Sequence, residues 1–175
     1  DKCSDWCKCL ASMVMEDRCT DIRDIKLLAL YAQEASRMKA SGADGHYYLA
    51  MACHQLGQLK KGMKAIEKAL RIEPDAADIK AMKANLLVSM GYYEAAAGLY
   101  HEAYLEEGDE DYLVLEGKAI ACTGHMDQAY KVFAKVEDDG LLKEAGVNLK
   151  DMERKWPFIG IRGLAKSLFG KKSNM

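Results

Sequence analysis

The chain has 175 residues, half of them hydrophobic and 30% charged, which suits one soluble domain with a packed core. A net charge of −2 argues against a nucleic-acid partner. No apolar run approaches the roughly 18–20 residues that a membrane-spanning helix needs.

In chain order, the N-terminal stretch holds four of the six cysteines, Cys3, Cys7, Cys9 and Cys19, with Cys53 and Cys122 further on. Four sulfurs could complete a zinc tetrahedron, but C-x3-C-x-C lacks the usual paired spacing, so no metal or other cofactor is expected. Free thiols in a reducing, cytoplasmic setting are the expectation. Trp6, Leu10, Met13 and Val14 fall at helical spacing, as do Ile25, Leu28, Ala32 and Ala35, so residues 5–41 read as a divergent helical hairpin. A helix from Asp44 to Leu56 follows, stopped at Gly57, and a second from about Lys60 to Ile72 ends before Pro74.

The same arrangement returns twice. Gly57, Gly91 and Gly124 are 34 and 33 residues apart. Each is followed by a small residue (Gly62, Ala96, Ala129), then a large one (Ile66, Tyr100, Phe133), then Ala69, Ala103 or Val136. Seven residues before each glycine stand Ala50, Ala84 and Gly117. The small columns predict close approach of two helices, and the large residues are expected to fill the space between one hairpin and the next. Repeats are therefore expected over 44–75, 78–108 and 111–139, with a single capping helix over 141–155 closing a domain that spans 1–155.

The last segment, 156–175, differs in chemistry. Pro157 breaks the preceding helix, and Ile161, Leu164, Ala165 and Leu168 then share a face, with Phe169 adjoining. Arg162, Lys166, Lys171 and Lys172 lie on the polar side. From Lys150 onward seven Lys/Arg stand against two Asp/Glu, so a +5 tail follows a −7 body. Ile161, Leu164, Leu168 and Phe169 are the expected contact residues of this basic amphipathic tail. It reads as a cap, as a groove ligand within one chain or across a homodimer, or as an attachment to an anionic membrane surface.

The 34-residue spacing and the column Gly62-x3-Ile66, Ala96-x3-Tyr100, Ala129-x3-Phe133 resemble the tetratricopeptide repeat, whose second helix carries A-x3-F. The first-helix columns are weaker: His46, Leu49, Ala50 and Cys53, then Lys80, Lys83, Ala84 and Leu87, then Leu113, Glu116, Gly117 and Ile120. The resemblance covers about residues 44–140. It implies an all-α fold of antiparallel hairpins stacked into a right-handed superhelix, with a concave groove for a segment of another protein. Its groove columns carry over to Tyr47, Met51 and His54, to Ala81, Asn85 and Val88, and to Val114, Lys118 and Ala121. Columns that in some relatives hold a cationic clamp for carboxylates contain Tyr47, Met51, Met82, Asp111 and Leu115 here, so an apolar or amphipathic partner segment is expected instead. Methionine and tyrosine at helical spacing also suit plain packing against a neighbouring helix.

Catalysis is not expected. His46, His54, His101 and His125 form no metal pattern, and Cys53 and His54, adjacent on a helix, point about 100° apart. The acidic runs 106–111 and 137–139 read as solvated connections. The function that follows is an interaction scaffold or adaptor. A membrane-peripheral protein recruited by its tail, and a small chaperone for an exported apolar substrate, are the alternatives.

Overall fold

The computed structural model describes residues 22–37 and 42–155, which form only helices and their connections. Nine helices are seen there: α1 (Ile22–Ala35), α2 (Asp44–Gln55), α3 (Leu59–Ile72), α4 (Ala77–Ser89), α5 (Tyr93–Glu107), α6 (Glu110–Cys122), α7 (Met126–Phe133), α8 (Asp139–Glu144) and α9 (Leu149–Lys155). Each of α1–α6 packs against the next in sequence, giving antiparallel hairpins stacked into a superhelix. The segments 1–21 and 156–175, with the N-terminal cysteines and the tail contacts Ile161, Leu164, Leu168 and Phe169, lie outside the described residues.

Two layers follow from how each helix buries its residues. In α3 the buried positions are Gly62, Ala65, Ile66 and Ala69, at i, i+3, i+4 and i+7, so one stripe faces inward. In α2 burial is continuous from Leu49 to Cys53, and in α4 from Ile79 to Met82, so these helices are enclosed on nearly all sides. α2, α4 and α6 form the inner layer, with α2 packing directly on α4, and α3, α5 and α7 form the outer one.

The turns between layers follow one device. Gly57, Gly91 and Gly124 adopt φ values of 68°, 83° and 86°, a region that costs side-chain-bearing residues about 1–2 kcal/mol. At two of them the chain closes with the same long hydrogen bond, Gln58 N–H to the Cys53 carbonyl (2.8 Å) and Tyr92 N–H to the Leu87 carbonyl (2.9 Å). Where the small columns meet, an added Cβ at Gly62 would stand 3.3 Å from the Ala50 carbonyl oxygen and 2.9 Å from Leu86 Cδ2. Gly117 behaves differently from expectation. Its missing side chain is replaced by the Phe133 ring, whose Cε1 would lie 2.5 Å from an added Cβ. Phe133 thus fills its own hairpin, because α7 can approach α6 only where α6 has no Cβ.

The expected single helix over 141–155 is two short ones. α8 stops at Glu144, Gly146 takes φ 73°, and Val147 N–H returns to the Leu142 carbonyl at 2.8 Å. This is the turn of the earlier hairpins in miniature, and it sets α8 against α6 and α9 against α7. Leu142 packs beside Leu113, and Met152 joins the same core.

Candidate partner-binding groove

Inner helices of a stack bury most of their surface against neighbours and leave a strip facing the superhelix interior. The nine residues expected there divide by exposure. Met51, Ala81 and Val114 are only 6–7% exposed and serve mainly as packing. Tyr47, His54, Asn85, Val88 and Ala121 are half-buried, and Lys118 is exposed. What the strip offers a ligand is therefore neutral along α2 and α4, with a cation on α6.

Several of these side chains are held. His54 Nε2 lies 2.7 Å from Ser89 Oγ, tying the end of α2 to the end of α4. Burial lowers the pKa of His54, so its imidazole favours the neutral form. Tyr100 donates its hydroxyl to Asn85 Oδ1 at 2.6 Å, fixing that amide from the outer helix α5. The Tyr47 ring stacks edge-on against Tyr48, with centroids 5.3 Å apart. Its phenol is pushed up to about 12, first by burial and then by the Asp78 carboxylate and Tyr48.

One rim of the strip is acidic. Asp78 also raises the phenol of Tyr112, after burial and the neighbouring Glu107. Asp111 is raised by burial, Asp109 and Glu144. Asp111 and Glu144 share the walls of a cleft of about 360 Å³ between α6 and α8, floored by Val114, Leu115, Leu141 and Ala145, with Lys118 at its side. A second cleft, of about 530 Å³, continues from Lys118 and Ala121 past Phe133 and Val147 to Lys155, the last described residue.

Four polar pairs were not legible in the sequence. Lys80, 9% exposed, reaches Glu106 at 3.1 Å and Glu102 at 3.8 Å. Glu116, 8% exposed, receives His101 Nδ1 at 3.0 Å. Both charges occupy columns where the repeat pattern has tryptophan and leucine, and the partner in each case is on α5. Glu110 accepts the N–H groups of Glu137 and Asp138 at 3.0–3.1 Å, and Tyr130 donates to Glu153. The acidic runs are thus not simply solvated; Glu106, Glu107 and Glu110 each accept a hydrogen bond. The signal was the charge itself at a core position, but a partner 26 residues away cannot be inferred from local pattern.

Cys53 is fully buried and its thiol is pushed up by burial, against a smaller opposite pull from Lys61. Among the described residues no cluster of three potential metal ligands occurs, and no helix is long and apolar enough to cross a membrane.

Stacked helical hairpins with a lined inner strip define a helical-repeat scaffold. Residues 43–76 match the family model described as Tetratricopeptide repeat. Among solved structures, the MamA protein superposes with a TM-score of 0.56 at 16% identity, covering 86% of this chain and 84% of that one. A thermophilic TPR protein in Thermus thermophilus gives a TM-score of 0.51 at 15% identity over 89% of both chains. No curated protein matches the chain. The chain contains a tetratricopeptide repeat and has the tetratricopeptide-repeat fold, which supports a protein–protein interaction scaffold.

Proposed function

We propose that the chain is an adaptor that holds an apolar or amphipathic segment of another protein along α2, α4 and α6, and that it performs no catalysis. The observation that carries this is α4. Val88 packs partly against the α4–α6 core yet stays half-buried on a helix enclosed from Ile79 to Met82 and at Ala84 and Leu86, so part of its apolar surface remains accessible. The neutral groups of Tyr47, His54 and Asn85 beside it supply hydrogen-bonding atoms without a charge requirement. A carboxylate-terminated partner fits poorly, since Asp78 and Asp111 would repel it.

The test is a binding series on the full chain, using an amphipathic helical peptide and an acidic C-terminal peptide as probes. The amphipathic probe is expected to bind more tightly, and Val88→Asp to weaken it by about tenfold or more at a temperature where thermal unfolding shows the variant still folded. Equal affinity of native protein and Val88→Asp for the amphipathic probe would remove the strip as the binding site. The membrane-peripheral and homodimer readings depend on residues 156–175, outside the described segment. Retention by anionic vesicles, or concentration-dependent sedimentation, would favour each of them respectively.

A further inference from the structure

The open side of α3, in the outer layer, is a stripe of cations. Lys60, Lys61, Lys64, Lys68 and Arg71 are all exposed, against a single carboxylate on the same helix, Glu67. Lys60, Lys64, Lys68 and Arg71 fall within about 80° of the helix circumference, opposite the buried Gly62, Ala65, Ile66 and Ala69. Among the described residues none of the five cations is in an ion pair; Arg71 Nε donates instead to the Glu67 carbonyl oxygen at 3.3 Å. This arrangement opposes helix formation. Lys60 with Lys64, and Lys64 with Lys68, are like charges at i, i+4, and Lys60 and Lys61 stand in the first turn, where the helix dipole favours acids. Each of the other described helices carries an acid in its first turn. Local stability therefore does not account for this face.

An anionic ligand would neutralise the stripe, and the neighbouring helix restricts its shape. α5, the next helix of the outer layer, exposes Glu94 and Glu102. A flat anionic bilayer or a nucleic-acid duplex laid on α3 would press on those carboxylates as well, whereas a single narrow chain need not. The acids of a second copy suit the stripe poorly, because they are engaged within their own chain. Glu102 and Glu106 face Lys80, Glu107 and Glu110 accept hydrogen bonds, and Asp109 caps α6. We infer that α3 is a second docking surface, whose occupant is a linear acidic segment of another protein laid along the Lys60–Arg71 stripe for about 16 Å. Ile72, 50% exposed at the end of α3, offers that segment an apolar contact beside the cations. The surface lies in the layer opposite the strip of α2, α4 and α6, so this inference goes beyond the adaptor reading and does not depend on it. Two faces of different chemistry allow one chain to join two different partners.

The experiment is fluorescence anisotropy on the full chain with an acetylated, amidated hexaglutamate peptide at about 0.15 M salt. Lys60→Glu with Lys64→Glu and Lys68→Glu is expected to weaken binding by about tenfold or more, at a temperature where circular dichroism shows the variant folded. The same charge change on exposed lysines elsewhere, Lys131→Glu with Lys135→Glu and Lys143→Glu, should leave the affinity within about twofold, which separates the stripe from net charge. A second readout needs no variant. Burial, then Lys68 and Arg71, hold the His46 imidazole below its ordinary value, so saturating hexaglutamate should raise the His46 midpoint in an NMR titration. No binding to the native chain, equal binding by the two triple variants, or an unmoved His46 midpoint overturns the proposal. Phosphatidylserine vesicles that retain the native chain and release the stripe variant would assign the stripe to a membrane instead. Self-association lost on the same reversal would assign it to a second copy; either result also overturns the proposal. The effect of Val88→Asp on the amphipathic probe reads the inner strip alone, so the two readings fail separately.

Discussion

His46 and His54 both titrate below the ordinary histidine value of 6.5, chiefly because burial disfavours the imidazolium; at His46 the charges of Lys68 and Arg71 add to it. The unfolded chain therefore takes up protons on these rings at a higher pH than the folded one. Their contribution is fully present above the unfolded value and is lost as pH falls through it toward the lower folded values. The urea midpoint is expected to drop between about pH 7.5 and 5.5, and His46→Gln with His54→Gln to flatten that drop. An unchanged slope in the double variant would assign the pH dependence to other groups. Sterics at the residue scale are equally specific. Gly117→Ala drives a methyl into the Phe133 ring and should cost about 1–3 kcal/mol by chemical denaturation. Gly98→Ala, in α5 with nothing within 4 Å of the added atom, should instead stabilise by about 0.5–1 kcal/mol. Equal effects at the two sites would mean that packing at Gly117 is looser than the ring contact implies.

At the scale of elements, the connections do more than reverse the chain. The Glu110 carboxylate, in the first turn of α6, takes both N–H groups that would otherwise be idle between α7 and α8. Asp109 and Asp138 cap α6 and α8 by accepting from Asp111 and Gly140 two residues on. Glu110→Ala is expected to cost about 1–2 kcal/mol. Its effect should concentrate in α8 and α9, which lean on that connection and on few buried side chains of their own. Hydrogen exchange would show faster opening of 139–155 with α2–α5 unaltered; uniform acceleration along the chain would contradict a local role. Lys80 and Glu116 belong to the same scale. Each is a buried charge on an inner helix, answered from α5, so together they fix the position of α5 between its two neighbours.

At the scale of the molecule, the core is a chain of three pockets rather than one centre. Leu28, Cys53, Ile66 and Leu86 unite α1 to α4; Ala84, Ala96, Tyr100 and Ala119 unite α4 to α6; Leu113, Phe133, Leu142 and Met152 unite α6 to α9. Each contacts only its neighbours, so stability is a sum of local and nearest-neighbour contributions. Leu86→Ala removes a fully buried side chain at the first of these junctions and should cost about 2–5 kcal/mol. Because α4 also borders the middle pocket, the first two hairpins should then open at lower denaturant than α6–α9. A single unbroken transition for this variant would show that the three pockets fold as one.

The period of 34 and 33 residues, the turn glycines and the small-to-large columns were enough to determine the helical hairpins, their order and the family they resemble. Those features are local: a helix stripe or a left-handed turn is decided by residues within a few positions of one another. The nine groove residues are expected from their columns alone, since periodicity says which side of a helix a residue occupies. It does not say how closely the next helix approaches. Met51, Ala81 and Val114 proved nearly closed off, while Val88 stayed half-buried and Lys118 exposed, because that depends on side chains contributed by other hairpins. The ring of Phe133 on Gly117, the break at Gly146, and the Lys80 and Glu116 pairs were likewise decided only by tertiary structure. Each joins groups well separated in the chain or weighs two local preferences against a packing outcome, and neither can be read before the helices are brought together.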